Sequence, residues 1–111
     1  MSRLKFGAFL APHHPIGEHP MLQFQRDLDL VEHLDRLGLE EFWCGEHHST
    51  GWEIIASPEM FLAAAGQRSH RIKLGTGVVS LPYHHPYIQL TASVMWWGCQ
   101  SFDFLWQYLK N

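Results

Sequence analysis

The sequence has few of the features that mark several large classes of protein. Its two cysteines, Cys44 and Cys99, form neither a close pair nor a metal-binding spacing, so a disulfide framework is not implied and a reducing, cytoplasmic setting is expected. It contains no basic run, and with a formal net charge of −3 it is not expected to bind nucleic acid. The amino terminus lacks the long apolar stretch of a signal peptide.

Charged residues are also scarce, at 17% of the 111 residues, and they nearly disappear towards the end of the chain. Residues 88–111 contain only Asp103 and Lys110 as charged side chains, together with three of the five tryptophans. A membrane span needs about 20 mostly apolar residues, and the glutamines of this segment argue against one. We therefore divide the chain into residues 1–87 and an aromatic-rich tail that is not native to the preceding fold. An amphipathic helix that binds a partner is the alternative for the tail.

What remains is an alternation of strand and helix patterns. Short apolar runs predict strands, and apolar residues three or four positions apart predict helices. Ser57 and Pro58 suit the cap and first residue of the second helix, and Gly38 suits the end of the first. The predicted segments are, in order, 4–10, 21–37, 41–44, 58–68 and 72–79. A β-α-β-α-β order predicts an α/β fold with parallel strands, either a doubly wound sheet or a (β/α)8 barrel.

On the first predicted helix the apolar side chains define the face that should be buried. Phe24, Leu28, Val31 and Leu34 are spaced by three or four residues. The charged residues between them are assigned to the outer, solvent-facing side, and these include Asp27 and Asp35.

Histidines follow the end of each predicted strand. The carboxyl ends of parallel strands share one rim, where ligands bind in this kind of architecture, so these histidines should converge there. Adjacent residues on extended chain point to opposite sides, so at most one of each pair faces a common site. His47 is the strongest candidate, because Glu46 and His48 flank it. The three pairs are His13–His14, His47–His48 and His84–His85.

Two other kinds of site are weighed against these residues. The rim could supply ligands to a metal ion, but the sequence contains neither H-x-H nor H-E-x-x-H, so no metal site is assigned. Gly75 and Gly77 form a G-x-G late in a predicted strand, whereas a dinucleotide fingerprint opens a helix. These glycines instead suggest close approach of the backbone to something flat, or an unusual peptide geometry.

Several of these stretches together resemble motifs of the bacterial luciferase-like flavin monooxygenases. They are KFGAFL at 5–10, WCGEHH at 43–48 and LGTGVVSLP at 74–82, with His85 and Pro86 following. Residues 45–59 and 83–86 are similar to the limonene monooxygenase branch. The resemblance covers about residues 3–87 and implies the first three βα units of a (β/α)8 barrel, truncated because such a barrel needs about 250 residues.

The resemblance also implies a function and roles for particular residues. It implies an FMN-dependent monooxygenase that uses O2 and reduced FMN, delivered by a separate flavin reductase, to oxidise a small hydrophobic substrate such as a terpene alkene. His47 matches the catalytic histidine, Glu46 matches an acidic residue near the flavin, and Gly77–Val78 matches a non-proline cis peptide under the flavin ring. His85 matches a histidine of the loop after the third strand and is assigned to the substrate pocket.

The truncation implied by the resemblance bears on what this chain can do by itself. In the family the flavin phosphate is held by later strands and loops, so we expect weak or no FMN binding and no activity from the isolated chain. The open edge of the third strand should promote self-association. Two other functions stay open: a non-catalytic, self-associating remnant, and a metal-dependent barrel hydrolase.

Overall fold

The computed structural model describes residues 3–95, which fall into two units that divide after Val79. The first unit contains a three-stranded sheet and two helices. The strands are β1 (Gly7–Leu10), β2 (Glu41–Cys44) and β3 (Lys73–Thr76), and the helices are α1 (Pro20–Leu37) and α2 (Pro58–Gly66). The strands lie in the order β1-β2-β3 and both pairs are parallel. The predicted α/β fold is confirmed, although β1 and β3 are shorter than the sequence suggested.

The second unit begins at Ser80. The chain forms a 3-10 turn at Leu81–Tyr83, and residues 86–95 are helical. Among residues 3–95, none of the helices combines the length and apolar character needed to cross a membrane. Most of the predicted tail, residues 96–111, lies outside the described part of the chain.

The two faces of the sheet differ in how they are covered. Phe42, Cys44 and Leu74 are buried, and the ring of Phe42 lies 6.4 Å from that of Phe61 on α2. Burying such large apolar side chains stabilises the fold by about 2 kcal/mol each. Side chains alternate along a strand, and Phe9 and Trp43, which are paired in register, remain exposed on the other face. The core of this unit therefore lies between the sheet and its helices.

Helix α1 ends as its sequence suggests and begins at Pro20, one residue before the predicted start. The imidazole Nδ1 of His19 accepts a hydrogen bond from the backbone of Met21 and caps the first turn. Gly38 follows the last turn with a φ of 82°, a left-handed conformation that glycine adopts without steric cost.

The predicted charged face of α1 is wrong at two positions. Asp27 and Asp35 are buried with Val31 and Gln23, at intervals of four residues along the helix. Each buried aspartate has a partner: Nε2 of His14 lies 2.7 Å from Oδ2 of Asp27, and Asp35 accepts hydrogen bonds from the turn before β3. The sequence pattern identified apolar positions only, and it could not reveal carboxylates that are buried because a distant part of the chain satisfies them.

The hydrogen bonds to Asp35 join the carboxyl end of α1 to the start of β3. Its carboxylate accepts from the backbone N–H groups of His70, Arg71 and Ile72, at 2.9, 3.1 and 2.8 Å. Burial by itself would raise the pKa of Asp35, but these three hydrogen bonds and the charge of Arg71 together outweigh it and hold that pKa below its usual value. The carboxylate of Asp35 thus accepts hydrogen bonds from three backbone N–H groups that do not bond within a helix or a strand.

Helix α2 begins at Pro58 as predicted, but its cap and its carboxyl end differ from the prediction. Ser57 precedes the helix, but its hydroxyl donates to Oε1 of Glu59 at 2.6 Å and makes no side-chain cap to the backbone. The helix ends at Gly66, two residues before the predicted end. Beyond it, Arg68 reaches α1 and lies 2.5 Å from Asp29 and 3.0 Å from Glu32, an exposed network of the kind that adds little to stability.

Candidate functional site

The loops that leave β2 and β3 start from the same edge of the sheet. The backbone N–H of Gly45 donates to the carbonyl of Leu10 at 3.0 Å, and that of Gly77 donates to the carbonyl of Cys44 at 2.8 Å. These bonds extend the pairing of three parallel strands beyond their carboxyl ends. Within the first unit, the predicted convergence of the His47 loop and the Gly77–Val78 bond at one rim is therefore confirmed.

The Gly77–Val78 peptide bond is cis, as the family resemblance implied. A methyl group added at Gly77 would lie 3.2 Å from the ring of Phe9, and one added at Gly75 would lie 2.7 Å from the ring of Trp43. The two aromatic rings therefore occupy the space that side chains at these glycines would need. Val78 is exposed, and an apolar surface of backbone, rings and one branched side chain lies at this end of the sheet.

After β2 the chain folds back on itself, which brings distant residues to the rim. The backbone N–H of His47 donates to the carbonyl of Ile55 at 3.0 Å, and Thr50 pairs with Glu53 in an isolated antiparallel bridge. Ser49 adopts a left-handed backbone with a φ of 60° between these contacts. The reversal places Glu53 beside His47, which precedes it by six positions.

Glu53 lies between two histidines and is almost fully buried, with 5% of its side chain exposed. Its Oε1 is 2.9 Å from Nε2 of His13, and its Oε2 is 2.7 Å from Nδ1 of His47. Thr50 adds a weaker contact, with its hydroxyl 3.4 Å from Oε2. One carboxylate thus connects the loop after β1 to the loop after β2.

The two loops are also joined through Trp52. The rings of His13 and Trp52 are stacked, with centroids 4.7 Å apart and planes inclined by 14°. The backbone N–H of His14 donates to the carbonyl of Trp52 at 2.7 Å. His14 itself turns inward to Asp27. The two adjacent histidines therefore point in different directions, as expected, and only His13 lies at the rim.

Glu46 and His48 form a second acid–imidazole contact in the same loop. The side chain of Glu46 is fully buried, and its Oε1 is hydrogen-bonded to Nε2 of His48. His47 and His48 therefore contact different carboxylates, Glu53 and Glu46 respectively. Neighbouring histidines again diverge, as extended backbone requires.

The remaining predicted site residue, His85, belongs to the second unit. It directly precedes the helical residues 86–95, and its Nδ1 accepts a hydrogen bond from the backbone of Tyr87 at 3.3 Å. Its assignment to a substrate pocket stays a prediction.

Cys44 lies at the end of β2 but is unsuited to act as a nucleophile. Its side chain is fully buried, and this burial, with a smaller contribution from the charge of Asp27, raises the pKa of its thiol to about 12. The thiolate is the reactive form of cysteine, so a thiol with this raised pKa is a poor nucleophile. Cys44 is instead part of the core beneath the rim.

Sequence reasoning did not identify Glu53, although one signal was present. Glu53 is the only charged residue between Glu46 and Glu59, and its neighbours Trp52, Ile54 and Ile55 are apolar. A lone acid in an apolar run indicates a buried carboxylate with a partner, because an unpaired buried charge is costly.

Comparison with known proteins identifies relatives of this arrangement. A family model described as luciferase-like monooxygenase matches residues 4–94. The chain is 60% identical over 94 residues to 4-hydroxyprotoasukamycin monooxygenase of Streptomyces nodosus subsp. asukaensis, covering 85% of this chain and 25% of that protein. It is 66% identical over 86 residues to limonene 1,2-monooxygenase of Rhodococcus erythropolis, covering 78% and 22%. The chain thus spans about a quarter of the length of these relatives.

Solved structures agree on the fold. The oxygenating constituent of 3,6-diketocamphane monooxygenase from Pseudomonas putida, solved in complex with FMN, matches with a TM-score of 0.84 at 24% identity, over 91% of this chain and 28% of that one. Monooxygenase RslO1 from Streptomyces bottropensis matches with a TM-score of 0.80 at 30% identity, over 87% and 30%. The three parallel strands and two helices of the first unit thus correspond to part of the (β/α)8 barrel of larger enzymes.

Proposed function

The chain belongs to the luciferase-like monooxygenase family, and on that premise we propose that it supplies part of the flavin-facing rim of an FMN-dependent monooxygenase. The observation that carries the proposal is the shared rim, where the His47 loop and the cis Gly77–Val78 bond leave adjacent strands beside the Gly77–Cys44 hydrogen bond. The proposed reaction is the oxidation of a small hydrophobic substrate, such as a terpene alkene, with O2.

The residues at this rim suit a flat, mostly apolar ring system. Phe9, Trp43 and Val78 are exposed at or near the carboxyl ends of the strands. The rings of Trp43 and Phe9 cover the backbone at Gly75 and Gly77, so a planar group would pack against these two rings. Polar groups lie in the adjoining loop, where Glu46 and His47 are found, and this combination of apolar lining and few polar groups is typical of a cofactor site.

Bound FMN would supply the oxygen chemistry, and the residues of this chain would supply contacts, proton handling and exclusion of water. His47 would hold or transfer a proton at Nε2, because its Nδ1 is already directed to Glu53. Val78 and the rings of Phe9 and Trp43 would exclude water from the face of the flavin. Glu46, carried over from the family resemblance, would contribute negative charge near the flavin, and His85 would line the substrate pocket.

Two relatives support the cofactor and the partner that we propose. The Pseudomonas putida structure was solved with FMN bound. A relative from Acinetobacter baylyi, 34% identical over 59 residues, is named as the oxygenase component of a flavin-dependent trigonelline monooxygenase. We therefore propose that a separate reductase delivers reduced FMN to the whole protein in the cytoplasm. The division of the chain after residue 87 remains part of the same proposal.

A chimera would test the function directly. The matching segment of the Rhodococcus erythropolis limonene 1,2-monooxygenase would be replaced by residues 1–87, and the rate of formation of oxygenated limonene would be measured with a flavin reductase, FMN, NADH and O2. We expect oxygenated limonene to form. In the chimera, His47→Gln should lower that rate by about 100-fold or more, which is the lower range for loss of a catalytic acid or base.

His33→Gln provides the matched control, because His33 is an exposed histidine on α1. This substitution should leave the rate of the chimera unchanged. A folded chimera that forms no oxygenated limonene, or one in which both substitutions have equal effects, would contradict the proposed function. The isolated chain should bind FMN weakly or not at all, as a fluorescence titration would reveal.

Self-association is a second candidate role, favoured by the uncovered sheet face that carries Phe9 and Trp43. Light scattering after size exclusion would detect it. A defined dimer would support this role, and a monomer at all concentrations would contradict it.

A further inference from the structure

We propose that Glu53 is a positioning residue that sets the tautomers of two histidines at the rim. In this arrangement His47 carries its proton on Nδ1 and leaves Nε2 for the reaction, while His13 carries its proton on Nε2. The use of Nε2 in catalysis rests on the proposed function. The assignment of the two protons does not, because it follows from the contacts of Glu53 within the chain.

The geometry gives each oxygen of Glu53 its own imidazole partner. Oε2 is 2.7 Å from Nδ1 of His47, and Oε1 is 2.9 Å from Nε2 of His13. These are ordinary distances for hydrogen bonds between an imidazole and a carboxylate. The two rings therefore present opposite nitrogens to the same acid.

The chemistry of the carboxylate then decides where the protons are. An ionised carboxylate has acceptors only, so both imidazole nitrogens that face Glu53 must be donors. A neutral imidazole has one donor and one acceptor nitrogen, and fixing the donor fixes the acceptor. His47 is consequently a proton acceptor at Nε2 when neutral. This is how a buried acid orients a histidine base in other enzymes.

Glu53 is itself held firmly enough to impose this order. Its backbone N–H donates to the hydroxyl of Thr50 at 3.1 Å, and it forms isolated bridges with both His13 and Thr50. Trp52, the preceding residue, stacks on the ring of His13. His47, by contrast, has 51% of its side chain exposed, so the orientation of its ring depends on the contact with Glu53.

The tautomers can be measured without flavin and without activity. The rings of the 15N-labelled chain would be observed by long-range 1H–15N correlation at a pH where imidazoles are neutral, with assignments from His47→Gln and His13→Gln. We expect a protonated Nδ1 and a bare Nε2 for His47, and the reverse for His13. A protonated Nε2 on His47 in the unmodified chain would overturn the proposal, and this result requires no variant at the acid.

Glu53→Gln provides the second test. A carboxamide offers one acceptor and one donor to the two rings, so at least one of the two histidines should change its tautomer or show a mixture of both. Glu59→Gln removes the same charge from a side chain that contacts Ser57, and it should leave both rings unchanged. Unchanged tautomers of both histidines in a folded Glu53→Gln variant would contradict the proposal.

If Glu53→Gln does not fold, His13→Gln serves instead. It keeps the contact between Glu53 and His47, and His47 should retain its proton on Nδ1; a change to Nε2 would count against the proposal. The chimera tests the oxygenation of limonene separately from these spectra. Failure of the flavin function and failure of the tautomer assignment would therefore be distinguished.

Discussion

Two buried carboxylates at opposite ends of the sheet have different kinds of partner. Asp35, near the amino end of β3, is 6% exposed and accepts hydrogen bonds from three backbone N–H groups. Glu53, at the carboxyl-end rim, is 5% exposed and its oxygens face two imidazoles. Backbone donors cannot lose their protons under ordinary conditions, whereas imidazole is the side chain whose charge changes near neutral pH.

The comparison separates a structural acid from one suited to chemistry. Asp35 holds a turn to a helix, and its partners remain donors at any pH at which the protein is folded. Glu53 holds groups that can exchange protons with a ligand, and both of its histidines are half exposed. Similar burial therefore gives different roles, and the nature of the donors determines which role results.

Removal of the structural acid, Asp35, should have the largest effect on the free energy of unfolding. Asp35→Ala should lower the free energy of unfolding by about 3 kcal/mol, because three buried backbone donors would lose a charged acceptor. Urea unfolding followed by tryptophan fluorescence at low protein concentration would measure it. Asp29→Ala on the same helix is the control, since Asp29 is largely exposed and bound to Arg68, and its effect should be much smaller. Equal losses would remove the distinction that we draw for Asp35.

Low pH should destabilise the fold through protonation of Asp35. Because the pKa of Asp35 is lowered in the folded protein, its ionised form stabilises the fold fully above the unfolded-state pKa of about 3.9. That stabilisation is lost as the pH falls through the folded-state value. Urea midpoints measured from about pH 6 to about pH 3 should therefore decline more steeply for the unmodified chain than for Asp35→Asn. Parallel declines would show that another group dominates.

The smallest effect on stability is expected at the rim. Glu53→Gln should lower the free energy of unfolding by about 1 kcal/mol, because the carboxamide keeps the shape of the side chain and the half-exposed histidines can reach water. Glu59→Gln again serves as the charge-matched control. If Glu53→Gln destabilised the chain as much as Asp35→Ala does, Glu53 would be a structural acid like Asp35 and the contrast between the two ends of the sheet would be lost.

Much of the fold could be predicted because local patterns report on burial. The alternation of strands and helices in the structure was predicted from local signals. These signals are the helical periodicity of 21–37, Gly38 after it, and the short apolar runs. The rim could be predicted from the same order, because parallel strands place their carboxyl ends together. Gly75 and Gly77 suggested an unusual peptide geometry as one of two alternatives, but only the family resemblance implied a cis bond at Gly77–Val78.

The errors concern polar residues whose partners are distant in sequence. Asp27 and Asp35 were assigned to the solvent-facing side of α1, since a charged residue is usually exposed. His14 and the turn at residues 70–72 supply their partners, and neither can be recognised from the helix itself. Ser57 is a predicted cap of α2, but its hydroxyl donates to the carboxylate of Glu59 and does not cap the helix.

The amino-acid sequence by itself determined the order of elements and the presence of histidines and an acid after the strands, because hydrophobic spacing and turn residues act locally. Only the tertiary structure decided which acid contacts which histidine. The backbone reversal at Ser49 brings Glu53 back to His47 and across to His13. Hydrogen bonds depend on distance in space and on the identity of each donor, and neither quantity is written in the spacing of residues along the chain.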